Sequence, residues 1–262
     1  MKERPPRSRH REQLPEWFTL GERTTGEVMR RISLSVASRE GALQVQFAPM
    51  MAHWFLLDAL LLANRANREG MHANALALTR QCIEAITIIE LGVCKHVDAE
   101  RLLLDWDRDR LRPGELRAWM EANVWPGYGS GLWREPWGVF MKEFAKAIQP
   151  YAHYGAQLAQ WQSRLYRMER EESGDATALI QMGPRAYDPQ KATRITLFHG
   201  LLTFVLGRLW IANSQPDSEF EALIRRFGAA LGKSRYLDGH ETNWGEQFWA
   251  MVWDRDGGTE LE

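Results

Sequence analysis

Few of the features from which chemistry is usually read are present in this sequence. Only two cysteines, Cys82 and Cys94, occur in 262 residues, too few for a disulfide framework or a thiolate zinc site. Their helix-like surroundings mark them as reduced core residues, and the expected compartment is the cytoplasm. Charge of either sign is not in excess: 33 Lys+Arg face 34 Asp+Glu, so no global field favours nucleic acid, an anionic membrane or an acidic substrate. Any such binding requires a local patch. No P-loop, G-x-G-x-x-G or G-x-S-x-G run occurs, and no His-x3-His, His-Glu-x2-His or carboxylate cluster points to a metal. No cofactor is therefore expected. The N-terminal stretch "MKERPPRSRHREQLP" has no apolar run able to serve as a signal peptide.

What is present is apolar helical sequence. With 45% hydrophobic residues, the chain can bury a large core without metal or disulfide support. The expected organisation is a flexible basic arm over 1–15, one helical domain over 16–253 and an acidic tail over 254–262. The expected fold class is all-α, a single bundle of about seven to nine helices with room for a minor two-stranded ribbon. Alternating Leu43, Val45 and Phe47, stopped by Pro49, read as one strand, and "TALIQMGP" at 177–184 as its partner. Helices are predicted from Met50 to Gly70, from about His72 to Leu91 with Gly92 as interruption, and over "VDAERLLLDWDRDRLRP" and "PGELRAWMEANVW". Further helices are predicted from Trp137 to about Ala147, through "YAHYGAQLAQWQSRLYRMEREE", and over 190–213, 217–231 and 243–253. The run "ITLFHGLLTFVLGRLWIA" approaches membrane-spanning length, but it carries His199 and Arg208 and has no second comparable run, so it reads as a buried helix.

One segment raises a physical question. "LTRQCIEAITIIEL" (78–91) is apolar nearly all round when placed on a helix, yet Arg80 and Glu84 lie one turn apart in its middle. The wheel points them inward, where an unpaired charge is costly and a hydrogen-bonded pair can be held. Arg four residues before Glu is the weaker orientation for a surface ion pair, so helix stability alone is a poor reason for it. Two readings stand: a polar clamp between helices, or a site in which Arg80 binds an anion and Glu84 works as acid or base. His153, between Tyr151 and Tyr154, is a candidate titrating group, with a structural histidine as the plainer alternative. In the loop "VWPGYGSGLWREPW", Trp125, Tyr128 and Trp133 offer rings for a ligand or base to stack on, and packing over the bundle is again the plainer alternative. His53, His72 and His199 lie on or beside apolar helices and read as core residues.

The order "ALALTRQCIEA", "RLLLDWDRDR", "PYAHYGAQLAQW" resembles helical families of unknown function affiliated with the HEPN superfamily, which show a Leu-x-Arg-x3-Glu helix and a later histidine. The resemblance covers roughly residues 50–215. It implies a bundle in which Arg80, Glu84 and His153 approach one another, in a protein of a bacterial defence or toxin type acting on RNA, in the strongest form as a metal-independent ribonuclease. HEPN ribonucleases use Arg-x4–6-His, and formal matches occur at Arg4/His10, Arg65/His72, Arg194/His199 and Arg235/His240. The rival expectation is a non-enzymatic interaction module that forms a homo-oligomer or takes a protein partner. A small-molecule sensor built on the aromatic loop is a third. None of these expectations involves a membrane.

Overall fold

The computed structural model describes residues 14–170, 174, 176–237 and 243–249. Apart from residues 14 and 15, the basic arm and the acidic tail lie outside the described residues, as does the end of the last predicted helix. The helices are α1 (Glu16–Ala37), α2 (Leu43–Arg68), α3 (His72–Val93), α4 (Ala99–Asp107), α5 (Pro113–Asn123), α6 (Trp137–Ile148), α7 (Ala156–Ala159), α8 (Pro189–Asn213), α9 (Ser218–Gly232) and α10 (Trp244–Gln247). Strands β1 (Ser163–Arg170) and β2 (Ala176–Met182) form one antiparallel ribbon, with Ser163 opposite Met182. The all-α bundle with a minor ribbon is as expected. The ten helices among the described residues exceed seven to nine because α7 and α10 are each a single turn.

α3 is the central element. It touches α1, α2, α4, α6 and α8, and from Ala85 to Val93 every residue is buried. α2 and α3 form a helical hairpin, closed at Gly70, whose φ of +78° favours glycine. A Cβ there would also stand 2.8 Å from the backbone nitrogen of Tyr187. The turn is tied to the start of α8. His72 Nδ1–H donates to Asn67 Oδ1 (2.9 Å), His72 Nε2 accepts from the Asp188 N–H (3.0 Å), and Asn67 Nδ2 donates to the Ala192 carbonyl (2.9 Å). Asp188 in turn caps α8, accepting from Gln190 N–H and Lys191 N–H, with Pro189 at the first helical position. Aromatic side chains fill the other half of the core, where Phe144 stacks on Phe198 at 4.8 Å between ring centroids.

Three sequence expectations are corrected. Leu43 to Phe47 is the first turn of α2, not a strand, and the helix continues through Pro49. Alternation misleads here because α2 is apolar on two faces: Val45 is buried while Leu43 and Phe47 point to solvent. Gly92 does not interrupt α3. It lies inside it where α2 crosses, and a Cβ at Gly92 would fall 2.3 Å from Cβ of Pro49. The long helix predicted from Tyr151 is replaced by short turns, α7 and then β1, because the 176–182 strand takes its hydrogen-bond partner from the segment just before it. Ser163 and Leu165 are buried where the ribbon meets the bundle, whereas 177–182 are exposed.

Candidate functional site

Arg80 and Glu84 are joined as the wheel suggests, but they straddle the protein surface. Arg80 is buried and Glu84 is half exposed, with Nη2 of Arg80 3.0 Å from Glu84 Oε1. The same Nη2 donates to Gln149 Oε1 at 3.0 Å, which ties α3 to the turn after α6. Arg80 Nε is buried with no hydrogen-bond partner among the described residues. A third charge completes the group: Arg117 of α5 interacts with Arg80 and Glu84, and burial, then the like charge of Arg80, lowers its pKa while Glu84 opposes the fall. Two guanidiniums thus share one carboxylate.

His153 stands apart from this group. It is exposed, in a bend before α7 rather than at a helix start, and makes no hydrogen bond or ion pair among the described residues. The link to Arg80 comes four residues earlier, through Gln149. Glu84 also lines a cleft of about 300 Å³ between α2, α3, α4 and α5. Its walls are mainly apolar, with Met51, Ala52, Phe55, Ile88, Trp106 and Leu116.

The aromatic loop packs inward. Trp125 and Tyr128 are buried, and Trp133 is half-buried with its Nε1 donating to the Gly232 carbonyl at 3.4 Å. Trp125 and Tyr128 enclose a residue that the sequence reading passed over, Glu90 of α3. Trp125 Nε1 donates to Glu90 Oε1 at 3.1 Å, and the Tyr128 hydroxyl accepts from Asn213 Nδ2 at 2.9 Å. Burial pushes the Glu90 carboxyl up to about 8, against the opposing effect of Trp125 and Tyr128. At neutral pH it is mostly the protonated acid.

The two Arg/His motif pairs that lie within the described residues take other partners. Arg65 is exposed and bonded to Glu69 at 3.2 Å, while His72 is buried and bonded to Asn67. Arg194 stacks over Tyr236, and His199 Nε2 lies 2.8 Å from Thr79 Oγ1. His10 and His240, of the other two pairs, lie outside the described residues.

A separate surface feature lies on α2. Leu43, Phe47, Met51, Trp54, Phe55, Leu61 and Leu62 are all exposed, between 40% and 70%. At 100° per residue they occupy a sector about 120° wide, opposite the buried Val45, Leu56, Ala59 and Ala63. Only Asp58, Arg65, Gln44 and the half-buried Glu69 interrupt it. The sequence signal existed, since α2 is apolar all round, but reading Leu43 to Phe47 as a strand cut the stripe in two.

Compared with protein-family models, curated proteins and solved structures, the chain matches none.

Proposed function

We propose that the protein is a non-enzymatic helical interaction module that pairs with a second copy of itself through the outward face of α2. The observation that carries this reading is the stripe of seven exposed large apolar side chains on one helix. Isolated exposed apolar residues need no explanation, whereas a contiguous patch marks an interaction surface. Seven side chains of about 200 Å² each, roughly half exposed, leave on the order of 700 Å² to cover, close to the ~800 Å² per partner of a standard interface.

Charge supports a second copy laid antiparallel. Glu40 precedes the stripe, and Arg68 lies toward its other end, so a two-fold axis brings opposite charges together at both ends while covering both stripes at once. A lipid surface fits less well, because Asp58 sits in the middle of the stripe and a carboxylate there resists burial in hydrocarbon. Sedimentation equilibrium of the full chain is the test. A dimer at micromolar concentration that becomes monomeric in Phe47→Glu/Trp54→Glu, with helicity unchanged, is expected; a chain monomeric at every concentration sinks the reading.

A second reading, an HEPN-like protein of bacterial defence or toxin type that acts on RNA, is favoured by the excess positive charge of Arg80 and Arg117 beside the half-exposed Glu84. An arginine can steady a phosphate, and a carboxylate or an exposed histidine such as His153, which stands apart from the group here, can move a proton. Incubation with RNA, with Arg80→Ala and His153→Ala beside the parent, tests it. Cleavage undiminished in both variants removes the site, and no cleavage of any RNA removes the activity.

A further inference from the structure

Three alanines recess the surface between α2 and α3. Ala48 and Ala52 lie one turn apart on α2, Ala85 lines the same recess from α3, and the larger Phe55, Ile88, Trp106 and Leu116 complete its walls. The result is the cleft of about 300 Å³, at the small end of the ~300–1,000 Å³ range of ligand pockets. An apolar recess of this size becomes specific through its few polar groups, which here are Gln81, Glu84 and Thr87.

Two of these three are acceptors with capacity to spare. Glu84 is anchored through Oε1 to Arg80 Nη2 at 3.0 Å, and the same Nη2 is held by Gln149. Glu84 makes no other hydrogen bond or ion pair among the described residues, so Oε2 has no donor there. Thr87 is only 8% exposed, and its hydroxyl spends its proton on the Ile83 carbonyl at 3.4 Å, which leaves the oxygen free to accept. Glu84 is also the one charged side chain in the lining, and Arg80 already meets its charge. An anion would lie against that carboxylate, and a cation would lie close to Arg80. A neutral ligand that brings a proton donor fits both conditions, because a hydrogen bond to a carboxylate is stronger than one between neutral groups. Phe55 and Trp106 add aromatic surface for a flat body.

We infer that this cleft binds a small neutral aromatic molecule carrying one N–H or O–H, its ring among Phe55, Ile88 and Trp106 and its donor on Glu84. The three alanines supply the space, and Arg80 with Gln149 fixes the acceptor in place. The cleft is built from one chain, so the inference does not depend on self-association, although Met51 and Phe55 belong to both the cleft and the α2 stripe.

The test is ligand-observed NMR titration of the full chain with indole, repeated in Trp54→Glu, a position that disrupts the stripe and does not line the cleft. Indole is expected to bind saturably in both backgrounds, with a Kd of roughly 1 mM or tighter. Benzofuran, the same shape with an acceptor oxygen in place of the N–H, and the anion indole-3-carboxylate are expected to bind at least about tenfold more weakly. Glu84→Leu is expected to weaken indole about tenfold and to erase its advantage over benzofuran, a change of selectivity that loss of folded protein would not produce. Ala52→Phe, which fills the recess, is expected to abolish binding of both rings, with circular dichroism reporting that each variant is folded. Benzofuran matching indole in the parent, indole affinity unchanged in Glu84→Leu or in Ala52→Phe, or no saturable binding of indole overturns the inference. Tighter binding of the cation indol-3-ylmethylammonium than of indole overturns it by making the site one for amines, and loss of indole in Trp54→Glu alone overturns it by assigning the ring to the stripe.

Discussion

α2 and α8 are near twins in length and apolar content, at 26 and 25 residues, and each is long and apolar enough to cross a membrane by those criteria, contrary to the expectation of no second run comparable to that of α8. The fold treats them differently. In its most apolar window α8 is 61% buried, α2 only 33%. α8 is apolar because α1, α3 and α9 surround it. The inner face of α2 has the same explanation in α3, but nothing among the described residues explains its outer face. Hydropathy reports that a segment avoids water without saying what covers it, and the second apolar face of α2 is where the bundle asks for something beyond itself.

The comparison is broken most directly by truncating one large ring on each helix. Phe198→Ala on α8 removes a fully buried ring stacked on Phe144, and should cost about 3–5 kcal/mol in urea unfolding. Trp54→Ala removes a larger ring from α2, yet at concentrations too low for association it should change stability by no more than about 0.5 kcal/mol. Comparable losses from the two would show that the outer face of α2 is already packed.

The next effect sharpens the contrast from the side of the core, where burial holds titrating groups away from their ordinary values. His199 of α8 and His72 of α3 are both pushed down to about 4 by burial, and Glu90 is pushed up to about 8. Between about pH 4.5 and 6.5 the unfolded chain takes two histidine protons that the native state refuses, while native Glu90 keeps one that the unfolded chain releases. The net of these opposed effects makes stability rise with pH. Above about 6.5 only Glu90 of these three acts, and stability falls until about pH 8 by up to about 1.4 kcal/mol per pH unit. Unfolding measured across this range should therefore show an optimum between about pH 6 and 7, and Glu90→Gln should remove the alkaline fall. A parent profile that keeps rising to pH 8 would contradict the protonated assignment of Glu90.

Smaller effects separate the two faces of α2. On the inner face both ring nitrogens of buried His53 lack hydrogen-bond partners among the described residues, so His53→Leu should stabilise the chain by about 1 kcal/mol; a loss of that size would reveal an unseen partner. On the outer face Asp58→Ala should leave the unfolding of the dilute chain unchanged and tighten self-association by only a few-fold. Weaker association would place Asp58 in a favourable contact across the interface.

Helical class was legible because apolar residues recur at helical spacing through 50–111 and 190–231, and tertiary packing agreed with that local pattern. The ribbon was half legible. "ATALIQM" advertises β-structure, but its partner "SRLYRMER" contains long side chains compatible with helix and becomes a strand only through pairing. Within the candidate site, the Arg80–Glu84 pair followed from one-turn spacing in an apolar run. Arg117 and Gln149 were not recoverable, because each reaches Arg80 from a distant element and looks like an ordinary surface residue in its own segment. Glu90 carried the same signal as Glu84, a lone acid in an apolar helix, and was masked by the stronger pair beside it.

The crossing of Pro49 over Gly92 carries a consequence for ancestry. With Cβ atoms unable to coexist at that spacing, any lineage that gives position 92 a side chain must also reduce position 49 to glycine or reset the angle between α2 and α3. The two positions, 43 residues apart, are bound to change together. A proline in the first turns of one helix, matched to a glycine near the end of the next, is a mark by which distant descendants of this fold can be recognised after the rest of their sequence has drifted.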